Sequence, residues 1–527
     1  MELTEVDTTT STAESPSSSK QRDAAKTTDR VVANSASSIH AAVSNLESNK
    51  LDPLSFASVP SVAEKESSSS LEFPLLTVNA DSDDFYSRLF QPKNYEQCIE
   101  GFFQYFYNAH PFLLPRHQHL QIFETNPANH LRVAMCYVGS RYVYGSSQSS
   151  FALEFESYLR SESAALKDAS MVQAMLLFAL GLDGDNNQTR AVEILIKTQS
   201  LAVELGMNER EYAVLNGRGS AICEESLRRT WWELYVVSIM MAGFHGRGIF
   251  QLRIMSTVPL PCEAKYFASG DIPKLHTMED FEDDSFTGVE IAWSSYTYKI
   301  AAASILERIL LSKQIIFTDD PALYRLETHI ANWHLQLPQN KRDFIDSFGS
   351  FDEILFQAHM ISYVSSILLH RRFSALENIA VQTITSCTEL PQVALGLTSD
   401  HVHTAKAAQA ASNISKLVIL PGSLLKHTHF FVCAVTLSTI SHLSLWSSLP
   451  VMAPDQDLRQ QIQMNAGALK AVAHIFPSAR MGHQQATLVA QKIHANRKNA
   501  IGEFFWRDFA DEDFMTGLME NASTADS

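Results

Sequence analysis

The sequence predicts an all-α protein, and three observations carry that prediction. Apolar residues recur at helical spacing from Phe85 to about Asn499. Alternating apolar and polar residues, the pattern of a half-buried β-strand, form no sustained run. The chain has 527 residues, of which 45% are hydrophobic and 19% charged, so it has ample apolar surface to bury. We therefore expect a multi-helix array over residues 85–500.

The N-terminal residues have a different composition. Ser, Thr and Ala dominate residues 8–70, with few large apolar residues. Such a segment buries too little apolar surface to offset the entropy of ordering, so we expect residues 1–84 to form a disordered Ser/Thr-rich tail. The first ten residues include Glu2, Glu5 and Asp7 and have no apolar run, so they do not predict a secretory signal.

Two consecutive helices are predicted to form a hairpin. The first follows Ser170, a predicted N-cap, and its apolar residues are spaced by four, three and four: Met171, Met175, Phe178 and Leu182. The second runs over about residues 189–205 and ends before Gly206, because glycine adopts a left-handed C-cap easily.

A third helix is predicted to begin near Glu224. Leu227, Trp231, Leu234 and Met241 lie on one face, and we expect the Trp231–Trp232 pair to pack in the core, with at most one of the two facing its deepest part. The pairs Glu224–Arg228 and Glu225–Arg229 have i, i+4 spacing, which predicts a solvated helix start.

The rest of the chain supplies further helices and one loop. Helices are predicted at 291–311, 351–370, 404–420 and 458–476, the last ended by Pro477. Residues 430–449 carry many Ser and Thr, so we expect a buried helix rather than a membrane span, and no membrane partner. The acidic residues 279–285 predict a solvated loop.

Several motifs occur together in a recognisable order. Residues 226–235 (SLRRTWWELY) resemble the best-marked helix of the fungal-specific transcription factor domain, the middle homology region of the zinc binuclear cluster regulators. Other segments resemble landmarks of that family: 105–115 (YFYNAHPFLLP), 191–206, 258–262 (VPLPC), 333–338, 368–373 and 469–475. The resemblance covers about Cys98 to Arg497. It implies an all-helical transcription regulator in the nucleus, in a family with many pathway-specific regulators of secondary-metabolite gene clusters.

The cysteines depart from the pattern of that family, whose members usually carry six closely spaced cysteines that bind two zinc ions. The six cysteines here are widely separated, at positions 98, 136, 223, 262, 387 and 433, and a disulfide framework is not predicted. The net charge of −17 also disfavours a broad DNA-binding surface. We therefore expect no zinc cofactor, and a DNA-bound transcription factor or family homologue as partner. A DNA-binding exon missing from the gene model is the open alternative.

The C-terminal residues 501–527 form an acidic-aromatic tail. Its aromatic residues are interleaved with Asp and Glu: Phe504, Phe505, Trp506, Phe509 and Phe514. Acidic charge keeps such aromatic residues solvated until a partner's apolar groove accepts them, which predicts an activation segment that contacts the transcription machinery. The alternative is that these aromatic residues pack onto the protein's own helices.

Catalytic and metal-binding motifs are not predicted. The sequence has neither Gly-x-Ser-x-Gly nor His-Glu-x-x-His, so catalysis has no candidate residue and we do not expect an enzyme. His-x-His occurs at 117/119, 401/403 and 427/429, without an adjacent carboxylate or cysteine, so no metal ligands are assigned. A small-molecule receptor or an enzyme with an apolar pocket near Phe178, Trp231 and Tyr235 is the alternative function.

Overall fold

The elements of the computed structural model are helices, as the sequence predicts. The structure describes residues 94–125, 129–146, 148–160, 167–246, 256–287, 291–312, 314–345, 349–376, 384 and 401–509. Within those ranges no β-strand is formed, and Ile345 and Phe351 make only an isolated antiparallel bridge. The predicted tail at 1–84 lies outside the described residues.

The first part of the chain supplies eight of the helices in the described ranges. They are α1 (Tyr95–Gly101), α2 (Arg116–Thr125), α3 (Asn129–Gly139), α4 (Gln148–Arg160), α5 (Ala169–Gly184), α6 (Gln188–Glu204), α7 (Arg210–Asn216) and α8 (Ala221–His245). A short π-helix, Phe102–Phe106, extends α1. Helix α3 packs on α5, and α5 packs on α6 as the predicted hairpin.

The second part continues the array. Its described helices are α9 (Ala264–Ser269), α10 (Met278–Thr287), α11 (Ser295–Leu311), α12 (Pro321–Gln336), α13 (Glu353–Arg371), α14 (His401–Val418), α15 (Phe430–Ser448), α16 (Gln456–Val472) and α17 (Pro477–Phe509). Helix α13 packs between α11 and α14, and α15 packs against α14, α16 and α17. Helix α8 contacts α5, α6 and α11, and so connects the two parts of the array.

Helix ends confirm some local predictions and correct others. Gly206 has a φ of 76°, the left-handed conformation predicted after α6. The N-cap of α5 is Asp168, not Ser170, because the Asp168 carboxylate accepts a hydrogen bond from the Met171 amide. Pro477 begins α17, whereas α16 already ends at Val472. A proline fits the first turn of a helix because the amide it lacks would be unpaired there.

Residues 279–285 form part of α10, so the predicted loop is wrong. Thr277 and Asp280 cap the start of this helix reciprocally. The Asp280 carboxylate accepts from the Thr277 amide at 2.7 Å, and the Thr277 hydroxyl accepts from the Asp280 amide at 3.2 Å. This exchange stabilises the first turn, and acidic residues there also interact favourably with the helix dipole.

Helix α15 lies in the core, as predicted. It is long and apolar enough to cross a membrane by length and composition, but 89% of that apolar window is buried among the other helices. Several of its hydroxyls bond to backbone carbonyls one turn earlier in the helix, as Thr436 does to Val432 at 2.8 Å and Thr439 does to Val435 at 2.7 Å. These bonds satisfy hydroxyl groups that the protein core encloses.

Candidate functional site

The start of helix α8 is buried, and its charged residues are buried with it. Arg228 and Arg229 are 3% and 1% exposed, and Glu225 and Glu233 are fully buried. The predicted Glu224–Arg228 and Glu225–Arg229 pairs are present, at 3.5 and 3.0 Å. Their prediction as a solvated helix start is wrong, because other parts of the chain cover this turn.

Arg229 connects α8 to two segments that are distant from it in sequence. Its guanidinium donates to the Pro111 carbonyl at 3.2 Å, to the Cys262 carbonyl at 2.8 Å and to the Glu225 carboxylate at 3.0 Å. The group also lies 4.0 Å from the ring centroid of Phe267. A buried guanidinium is tolerated only when its N–H groups have partners, so these bonds hold both segments against α8.

Glu233 is the centre of a second set of buried contacts. Lys299 of α11 lies 3.0 Å from each of its carboxylate oxygens, and the Tyr296 hydroxyl donates to it. His110 Nδ1 lies 2.7 Å away. Burial raises the pKa of Glu233, but Lys299, His110 and Tyr296 outweigh burial and lower the pKa to about 2. The carboxylate is therefore ionised, and Lys299 balances its charge.

The His110 ring is neutral, and it connects Glu233 to Thr428. Burial lowers its pKa to about 4, and the Glu233 carboxylate offsets that effect only in part. The neutral ring donates from Nδ1 to Glu233, and its Nε2 accepts from the Thr428 hydroxyl at 3.0 Å. The ring thereby joins the turn after the π-helix to α8 and to the segment before α15. We call Glu225, Arg229, Glu233, Lys299 and His110 the α8 network.

Two further histidines near α15 pair with separate carboxylates. His429 Nε2 lies 2.8 Å from Asp183 of α5, and His427 Nδ1 lies 2.7 Å from Glu353 of α13. Asp183 also lies 2.8 Å from His245 at the end of α8. Burial raises the pKa of Asp183, and the two histidines outweigh it and hold the pKa well below its usual range. His427 and His429 therefore bind different helices and do not converge on one point.

The predicted pocket residues lie in the core. Phe178 contacts the rings of Tyr137 and Phe155. The Trp231 indole donates to the Ser256 hydroxyl at 2.8 Å, and the Tyr235 hydroxyl donates to Glu307 at 2.9 Å. All three side chains are at most 1% exposed. A pocket near them stays a prediction.

Trp232 is also buried, contrary to the expectation that only one tryptophan of the pair lies deep. Trp231 and Trp232 are 0% and 2% exposed, and the Trp232 indole donates to the Pro259 carbonyl at 2.9 Å. Helix α8 is covered on all sides, so residues pointing about 100° apart are both enclosed. The near-continuous apolar run from Trp231 to Ala242 is the sequence signal of that burial.

An apolar groove lies between α15 and α16, and its lining includes Phe431, Leu469 and Phe476. Its volume is about 10 Å³, which is room for about one water molecule. A drug-sized ligand needs a far larger cavity.

The C-terminal aromatic residues can be placed only in part. Phe504, Phe505, Trp506 and Phe509 are in the last turns of α17, but their side chains lie outside what the structure describes. Phe514 lies beyond the described residues altogether. Their predicted contacts therefore stay a prediction.

In the described residues the protein is an all-helical scaffold, and buried ion pairs join helices that are distant in sequence. Comparison with known proteins identifies the family. Residues 99–335 match the fungal specific transcription factor domain. The chain is also 37% identical over 451 residues to the C6 finger domain transcription factor iacK of Pestalotiopsis fici, an alignment that covers 84% of this chain and 67% of that protein. No solved structure matches the chain.

The chain therefore belongs to the family of fungal transcription factors that carry this domain, and it is a transcriptional regulator. This confirms the resemblance drawn from the sequence motifs, and the matched region contains the whole of α8. Transcription factors are in general nuclear proteins and not enzymes.

Proposed function

We propose that this protein regulates a fungal secondary-metabolite gene cluster from the nucleus and reaches DNA through a DNA-bound partner. The match to the fungal specific transcription factor domain carries the regulatory part of the proposal. The net charge of −17 supports the second part, because a strongly acidic protein is repelled by the phosphate backbone unless its basic residues are clustered.

The cysteines also support a partner for DNA binding. Cys98, Cys136, Cys262 and Cys433 are buried, and Cys223 is half-buried. Burial, together with the Glu225 carboxylate, raises the pKa of Cys262 to about 12. Zinc clusters require thiolates, and a buried protonated thiol is a poor ligand. These five cysteines therefore serve the helical core rather than a zinc cluster.

The acidic-aromatic tail is the proposed contact with the transcription machinery. Its sequence combines bulky aromatic residues with acidic ones, and the backbone of α17 is helical up to Phe509. A helix of this composition is suited to dock in an apolar groove of a partner.

Binding of the purified full chain to promoter DNA tests the proposed partner. We expect fluorescence anisotropy at physiological salt to detect no sequence-specific complex with promoter fragments of the regulated genes. A zinc-cluster regulator added to the same fragment should recruit the chain. Tight, specific binding by the chain alone would contradict the proposal, because non-specific attraction cannot produce sequence preference.

A reporter assay tests the tail. The full chain is fused to an unrelated DNA-binding domain, and alanine replaces the five aromatic residues: Phe504, Phe505, Trp506, Phe509 and Phe514. Reporter activity should fall to the background of the DNA-binding domain alone. The matched control replaces three exposed apolar residues, Leu215, Tyr324 and Leu335, with alanine and should keep full activity. Equal activity of both variants would refute the tail as the activating segment.

A further inference from the structure

Three side chains from different helices converge near the small core cluster around Leu326 and Leu369. Glu327 belongs to α12, His370 to α13 and His403 to α14. The two imidazole Nδ1 atoms lie 2.9 Å apart. The Glu327 Oε1 atom lies 3.6 Å from His370 Nδ1 and 3.9 Å from His403 Nδ1. We call these three residues the Glu-His-His cluster.

The cluster has the dimensions of a metal site. Zinc binds imidazole nitrogen and carboxylate oxygen at about 2.0–2.2 Å, and tetrahedral geometry then places any two ligand atoms about 3.4 Å apart. The three separations in the cluster lie on either side of this value, and small side-chain rotations would make them equal. Two imidazoles and one carboxylate are also a common ligand set of zinc sites that keep one open position.

The burial of the cluster favours a bound ion over solvent. His370 and His403 are 5% and 6% exposed, and Glu327 is 19% exposed. A carboxylate in such a site needs a compensating positive charge. That charge comes from Lys406, whose Nζ lies 2.8 Å from Glu327 Oε1. The Lys406 side chain is 41% exposed, so its ammonium group has access to solvent when a cation replaces it.

We propose that Glu327, His370 and His403 bind one zinc ion, with the fourth position open to water or another ligand. Such an ion would cross-link α12, α13 and α14, each of which supplies one ligand. Binding energy at such a site adds to folding energy, so zinc would stabilise this part of the regulatory domain. The site is independent of the zinc cluster discussed above and of how the protein reaches DNA.

The sequence did not reveal this site because its ligands are not in a local motif. His401 lies two residues from His403 on the same helix. In the structure His401 is exposed, whereas His403 is buried against His370. His401 is therefore a matched control from the same turn of α14.

Zinc titration of the full-length, untagged and metal-free protein against a competing chelator tests the proposal. We expect one tight equivalent of zinc and, with cobalt, the intense visible absorption of four-coordinate cobalt. His370→Ala and His403→Ala should weaken zinc binding by more than about a hundredfold, since loss of even an outer partner weakens sites by about 10–100-fold. His401→Ala should bind like the wild type.

Two further variants separate binding from folding. Glu327→Gln preserves shape and should weaken zinc binding while the circular dichroism spectrum stays helical. Lys406→Met retains all three ligands and removes the competing ammonium group, so it should bind zinc more tightly. The proposal is overturned if the wild type takes up no zinc, if Glu327→Gln and His370→Ala bind as the wild type does, or if Lys406→Met binds more weakly.

Discussion

Lys299 and Glu233 form an ion pair in the centre of the protein. The lysine Nζ lies 3.0 Å from both carboxylate oxygens, and both side chains are at most 1% exposed. The pair joins α11 to α8, and its two residues are 66 positions apart in sequence. Two opposite charges in this environment stabilise the fold only while both are present, because either one alone would be a buried, uncompensated charge.

Lys299→Met should therefore destabilise the protein strongly. The substitution leaves the Glu233 carboxylate without its main counter-charge, and breaking a buried pair in this way costs about 3–5 kcal/mol. Urea unfolding followed by circular dichroism measures the loss. The control is Lys167→Met, which removes the exposed Lys167–Glu204 pair and should change stability by less than about 1 kcal/mol. Equal effects of the two substitutions would refute the structural role of the Lys299–Glu233 pair.

Stability should fall as the medium becomes acidic. Burial lowers the pKa of four histidines, His110, His119, His359 and His442, to about 4 in the folded state. Between about pH 6.5 and about pH 4 the unfolded chain binds protons at these positions and the folded chain does not. The free energy of unfolding therefore decreases as pH falls through this range, by about 1.4 kcal/mol per pH unit for each extra proton.

Substitution of one of these histidines checks the assignment. His359 packs against the rings of Trp333 and Phe344, so His359→Phe keeps an aromatic ring in the same place. The pH dependence of the unfolding free energy should become less steep by about one proton. An unchanged slope, measured by urea unfolding at a series of pH values, would show that His359 does not contribute.

Gly139→Ala should destabilise the contact between α1 and α3. A Cβ at Gly139 would lie 1.9 Å from the Cys98 carbonyl oxygen, so the two backbones would have to separate. Overpacking of this kind costs about 1–3 kcal/mol or more. The control is Gly467→Ala in α16, where the added Cβ meets nothing within 4 Å and should stabilise the helix by up to about 1 kcal/mol. Thermal unfolding of both variants measures the difference, and a stable Gly139→Ala protein would contradict the close approach.

Some local signals in the sequence predicted local structure correctly, although the N-cap at Ser170 and the loop at 279–285 were wrong. Gly206 predicted a helix end, the spacing of Glu225 and Arg229 predicted their contact, and the Ser- and Thr-rich residues 430–449 predicted a buried helix. Each of these inferences depends on residues a few positions apart, whose relative placement helix geometry determines.

Contacts between distant segments were not predictable in the same way. The burial of Arg229 depends on Pro111 and Cys262, and neither residue lies near it in sequence. Likewise, His370 and His403 are 33 positions apart and meet only because α13 packs on α14. The proposed activation segment shares this property, since such a segment is defined by a partner and not by its own fold.

Chromatin immunoprecipitation of the full-length protein from fungal nuclei, combined with transcript profiles of a strain lacking its gene, tests the central claim most directly. The account predicts enrichment at promoters of a contiguous set of metabolic genes, and altered transcript levels of the same genes in the deletion strain. Absence of the protein from every promoter, together with unchanged transcripts, would contradict it.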